Sequence, residues 1–177
     1  MTPIGELPHG SPGVEVRAVT GFPHLAGVEV RGRPASGWLA GGWVSARWSG
    51  DLQPGGGAFV DAARTRGRWA LGARSSAEWL GGALGPGRVP AVDLRLTGIA
   101  EVGLGDDVAV HAGEGVMWLA AGSGMPDLVC LVDRVGVAGA VSERTAVGLD
   151  LEVPWLRVAG PKVHPEPAAV GSVRYRW

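Results

Sequence analysis

Residues 89–104 read VPAVDLRLTGIAEVGL, and their two faces differ sharply. One face carries Asp93, Arg95, Thr97 and Glu101, with Ile99 the apolar exception; the other carries Val92, Leu94, Leu96, Gly98, Ala100, Val102 and Leu104. A period of two puts successive side chains on opposite sides of an extended chain, so this stretch reads as a β-strand. Residues 145–155 repeat the pattern, with Val147, Leu149, Leu151, Val153 and Trp155 alternating against Gly148, Asp150 and Glu152. At the C-terminus, Arg174 and Arg176 share one face while Val173, Tyr175 and Trp177 share the other.

The same periodicity extends along the chain. Candidate strands are 12–20, 26–33, 36–48, 58–72, 89–104, 107–120, 127–141, 145–158 and 169–177, and an interruption at Pro34 within one strand would reduce them to eight. Pro54-Gly55-Gly56-Gly57, Gly85-Pro86-Gly87, Gly105-Asp106-Asp107 and Gly122-Ser123-Gly124 read as turns. Ser75 to Leu84 is the one helix candidate, weakened by its paired glycines. No linker divides the chain, so residues 1–11 form an irregular lead-in and residues 12–177 a single all-β domain.

Composition narrows the class. The chain has 177 residues with 31 Gly, 13 Pro and 8 Trp, yet 46% of it is hydrophobic and its net charge is −1. Disorder requires low hydrophobicity and high net charge, and neither is present. Balanced charge gives no electrostatic footprint for nucleic acid. The single cysteine, Cys130, lies in an apolar run and reads as a small buried hydrophobe, with no internal disulfide available to it. No uncharged stretch is long enough for a transmembrane helix. Residues 1–10 show neither a basic n-region nor an apolar h-region, so no export signal is visible in them.

Catalytic and metal chemistry find little support. No Gly-x-Ser-x-Gly elbow occurs, and Ser123 sits in a turn. His9 and His24 have no further ligand at credible spacing. His111 reads as structural, and His164 lies in a proline-stiffened loop. The expectation is a non-enzymatic protein with no cofactor and no metal site.

Alternating strands of this kind suit two environments. A soluble sandwich or barrel turns its apolar face to the core, whereas a transmembrane barrel turns it to lipid and its polar face to the lumen. Most candidate strands reach the roughly 9 to 11 residues needed to span a bilayer at a tilt. On the second reading Arg64, Arg66, Arg68, Asp93, Arg95, Glu101, Asp150, Glu152, Arg174 and Arg176 are lumen or polar-face charges.

The ending Val173-x-Tyr175-x-Trp177 resembles the closing strand of bacterial outer-membrane β-barrels. Residues 37–43 and 149–155 are similar to strands of the small eight-stranded members. The resemblance implies a closed antiparallel up-and-down barrel of about eight strands in the bacterial outer membrane. Val173, Tyr175 and Trp177 would then be its C-terminal assembly signal, read by the barrel-assembly machinery. Outer-membrane lipid would be a partner, and loops could hold a surface ligand or sugar. The implied role is structural, adhesive or surface-binding, without an open pore. Seven tryptophans near proposed strand ends fit interfacial anchors. A soluble β-sandwich or barrel, acting as a virion or tail protein or a carbohydrate-binding domain, remains the alternative.

Overall fold

A computed structural model describes residues 13–22, 25–49, 51–84, 89–122, 126–161 and 166–177. The proposed lead-in and His9, His24, Ser123 and His164 lie outside the described residues. The strands are β1 (Val14–Phe22), β2 (Leu25–Gly32), β3 (Trp38–Ser49), β4 (Asp51–Arg66) and β5 (Trp69–Leu84), then β6 (Val89–Gly103), β7 (Val108–Ala121), β8 (Leu128–Ala140), β9 (Thr145–Ala159) and β10 (Ala168–Arg176). Each pairs antiparallel with the next, and β10 returns to β1, with Glu15 opposite Arg176 and Phe22 opposite Ala169. Closure leaves no free sheet edge.

The barrel has ten strands, not about eight. The discrepancy arises between residues 49 and 84. The segment 58–72 is the corner of a hairpin: β4 runs up to Arg66, and the chain turns at Gly67, whose φ of 61° suits glycine. Ser75 to Leu84 is not a helix but the second half of β5, hydrogen-bonded between β4 and β6. Pro54-Gly55-Gly56-Gly57 is not a turn but part of β4. A Cβ on Gly57 would strike the Ala77 carbonyl and the Trp43 indole, so this glycine makes room for an aromatic ring inside the barrel. β2 and β3 are also separate strands, divided by a turn at Gly37 with φ 79°.

The two faces of the wall are inverted relative to a soluble barrel. Leu94, Leu96, Leu149, Leu151 and Trp177, the residues whose direction separates the two environments, are all on the outside, with exposures of 37, 62, 56, 43 and 77%. Glu15, Arg17, Arg31, Asp61, Asp93, Glu101, Asp150 and Arg174 face inward and are buried. Such an exterior needs an apolar solvent, because water would leave a continuous belt of Val and Leu uncovered.

Tryptophans frame that belt. Trp38 and Trp69 begin β3 and β5 at the end of the barrel where Val14 and Trp177 lie, hereafter the terminal end. Trp48, Trp79, Trp118 and Trp155 lie toward the opposite ends of β3, β5, β7 and β9, four strands that run in the same direction. All seven outer tryptophans are exposed, whereas Trp43 faces the interior. Trp38 and Trp48 are ten residues apart, as are Trp69 and Trp79. Ten residues span about 33 Å along a strand, and a tilt of roughly 40° reduces this to about 25 Å along the barrel axis. That matches the apolar band of roughly 25 Å found on membrane barrels.

Inside, the far end is apolar on one side. Leu80, Ala91, Met117, Leu119, Leu128, Cys130 and Val132 form a buried cluster contributed by β5 to β8. Ala70 and Ile99, with Ala63 against them, form a second, smaller apolar cluster toward the terminal end, and charged side chains occupy much of the remaining lumen.

Candidate functional site

Charged side chains reach the lumen from the inward register of most strands, between smaller and apolar inward residues. Asp150 on β9 is their centre. Its Oδ2 accepts a hydrogen bond from Arg17 of β1 at 2.9 Å, and its Oδ1 accepts one from Arg134 of β8 at 2.9 Å. His111 Nε2 of β7 lies 2.7 Å from the same Oδ1. One carboxylate thus ties four strands together. Gly136 makes this possible: a Cβ there would collide with the His111 ring and stand 2.6 Å from Asp150 Oδ1.

Further pairs surround it. Arg74 grips Asp61 with two bonds, Nε at 2.8 Å and Nη2 at 2.7 Å, and its guanidinium lies 4.7 Å from the centre of the Phe59 ring. Arg95 reaches Asp93 at 2.6 Å on its own strand and Glu152 on β9, spanning the lumen from β6. Arg47 donates to both oxygens of Glu78 at 3.0 and 3.1 Å, and Trp43 Nε1 donates to Glu78 Oε1 at 3.3 Å. Toward the terminal end, Arg33 pairs with Glu15 at 2.7 Å and Arg31 with Glu29 at 2.7 Å. In a poorly hydrated interior, removing one partner of such a pair is far more damaging than the net value of the pair suggests.

A cavity of about 240 Å³ remains among these residues. Leu25, Arg47 and Ala168 line it toward the far end of the barrel, and Arg17, Arg134 and Asp150 line it toward the terminal end. Trp43 and Phe59 contribute its aromatic wall, with ring centroids 6.2 Å apart. The cavity therefore presents paired charges and an aromatic surface. Among the described residues, no group of three or more His, Cys, Asp or Glu side chains is arranged to hold a metal ion.

Of the residues singled out from the sequence, Asp93, Arg95, Glu101, Asp150, Glu152 and Arg174 line the interior. Arg176 sits at the rim with Nε 3.6 Å from Glu15. Arg64, Arg66 and Arg68 do not join them: Arg64 and Arg66 are exposed on the outer face of β4, and Arg68 is exposed in the turn that follows. Val173, Tyr175 and Trp177 share the outer face of β10, and Tyr175 and Trp177 meet edge to face at 5.2 Å. Arg17, Arg31, Arg33, Arg47, Arg74, Glu78 and Arg134 join the interior charges without having stood out in the sequence. The alternation Glu29-x-Arg31-x-Arg33 carried that signal for β2.

No protein-family model and no curated protein matches the chain. Solved structures do. The KdgM porin in complex with disordered oligogalacturonate is similar over 93% of this chain and 99% of that one, at 10% identity and a TM-score of 0.50. The KdgM porin by itself gives the same values. OmpT, an outer membrane protein of Vibrio cholerae, is similar over 96% of this chain at 15% identity and a TM-score of 0.44. The chain spans 62% of that OmpT. The likeness to KdgM is one of fold, a closed antiparallel β-barrel shared by outer-membrane proteins.

Proposed function

We propose that the protein is an outer-membrane β-barrel with a structural or surface-binding role, non-enzymatic and with a lumen closed to steady ion flow. The observation that carries this reading is the Asp150 knot. Its partners Arg17, Arg134 and His111 converge from β1, β8 and β7, so side chains bridge the space a pore would need. Arg95 adds a second strut between β6 and β9. Acids and bases alternate and neutralise one another, whereas a selectivity ring presents one sign of charge. On this reading the membrane is the outer membrane, the seven outer tryptophans sit at its two interfaces, and Val173, Tyr175 and Trp177 address the assembly machinery. Surface ligands would be met at the far end, toward which Leu25, Arg47 and Ala168 line the cavity.

The cavity also favours a second reading, a narrow channel of the kind that the KdgM porin's name denotes, entered past Leu25 and Arg47. Planar-bilayer recording separates the two. The closed reading expects no stepwise conductance from the reconstituted protein; long-lived steps of uniform size would replace it with the channel.

A further inference from the structure

We propose that the outer wall at the terminal end of β4 and β5 binds the headgroups of anionic phospholipids. The inference rests on the membrane reading above and concerns a part of the surface that the lumen does not use.

Along the outer face of β4, Ala58, Val60 and Ala62 give way to Arg64 and Arg66, and Arg68 follows in the turn. All three arginines are exposed, and among the described residues none makes an ion pair. Their neighbours fix their depth. Arg66 stands directly opposite Trp69, and Arg64 opposite Leu71, which is 64% exposed. Trp38 stands opposite Ala62 one strand away. The guanidinium groups thus lie at the level of the tryptophan ring, where the apolar band ends and headgroup phosphates begin. Asp106 and Asp107, exposed in the neighbouring turn, make no ion pair with them.

A guanidinium in this position has two needs that one ligand meets. Its stem lies along apolar wall, so the charge must extend outward to the interface. There its planar donors match a phosphate oxygen pair in a way a single ammonium cannot. A zwitterionic headgroup offers that phosphate together with a competing cation, whereas an anionic headgroup offers net negative charge. Three arginines within five residues make the preference additive.

The test is native mass spectrometry of the full chain released from micelles holding equal amounts of phosphatidylglycerol and phosphatidylcholine. Insertion into phosphatidylcholine vesicles is checked in parallel. The expected result is preferential retention of phosphatidylglycerol, reduced roughly thirty-fold in the double variant Arg64→Gln/Arg66→Gln and only partly recovered in Arg64→Lys/Arg66→Lys, which keeps the charge but loses the paired planar donors. A chain that inserts but retains both lipids equally, or a Gln variant with unchanged preference, overturns the lipid site and leaves the membrane reading standing. A chain that refuses phosphatidylcholine vesicles and stays folded and monomeric in plain buffer overturns both.

Discussion

His111 Nε2 and Asp150 Oδ1 lie 2.7 Å apart across the backbone of Gly136, the residue that separates their strands. The pair exists because β8 offers no side chain at that point. Gly136→Val places carbon where the imidazole and carboxylate now meet, and it forces both away from Arg17 and Arg134. The expected loss is about 3 kcal/mol of stability, the scale of breaking a buried charged contact. Urea unfolding in lipid vesicles measures it; a loss below the error of the fit would show that the knot is not tightly packed.

Asp150 itself should be the most sensitive lumen residue. Asp150→Ala removes the carboxylate that Arg17 and Arg134 share, at a cost of about 3–5 kcal/mol. Glu166→Ala, in a described segment between strands and remote from the knot, should change stability by less than about 0.5 kcal/mol. Equal effects from the two substitutions would remove the special standing given to Asp150.

Glu114 is an exposed acid on the outer wall. It lies on β7 opposite Asp133 of β8, four residues from Trp118 toward the middle of the apolar band. Asp133 accepts a hydrogen bond from Trp155 Nε1 at 3.1 Å, while Glu114 makes none among the described residues. Like charges set opposite each other across a strand pair are unfavourable, and lipid aggravates the effect. Glu114→Leu should therefore stabilise the barrel by about 1–2 kcal/mol in vesicles. Destabilisation would point to a partner for Glu114 on the membrane-facing surface.

Cys130 is 2% exposed and packs in the apolar cluster with Met117 and Leu119. A water-soluble maleimide should label it only after unfolding. Rapid labelling of the folded chain would mean that water reaches the far end of the lumen past Leu80 and Leu128.

These residues also show which parts of the barrel could be read in advance. β6 and β9 were legible because their inward residues are charged and their outward ones are Leu and Val, so two periods of two coincide. β4 and β5 were not, because their inward positions include Gly55, Gly57, Gly72 and Ser76. Gly57 makes room for the Trp43 ring and Gly55 for Ser45 and Glu78, and such small residues erase the contrast between faces. Local composition then imitates a turn and a helix, and the strand count comes out too low.

The arginine series at Arg64, Arg66 and Arg68 shows another limit. Alternation establishes that Arg64 and Arg66 share a face, but not which face it is. In the lower wall of a membrane barrel the outer face turns polar once it leaves the apolar band. Depth along the barrel, absent from any local pattern, decides whether such a charge is inside or at the headgroups. The Asp150 knot was hidden for a related reason, since Arg17 and Asp150 are 133 residues apart and meet only through closure of β1 on β10.

On the membrane reading the apolar wall faces lipid while the charged one faces inward. Tryptophan fluorescence quenching by phospholipids brominated at shallow and deep acyl positions tests it most directly, using single-tryptophan chains that retain Trp155 or Trp43. Trp155 is expected to be quenched strongly by the shallow label and weakly by the deep one, while Trp43 is little affected by either. Unquenched Trp155 in a folded chain, or Trp43 quenched as strongly as Trp155, would contradict it.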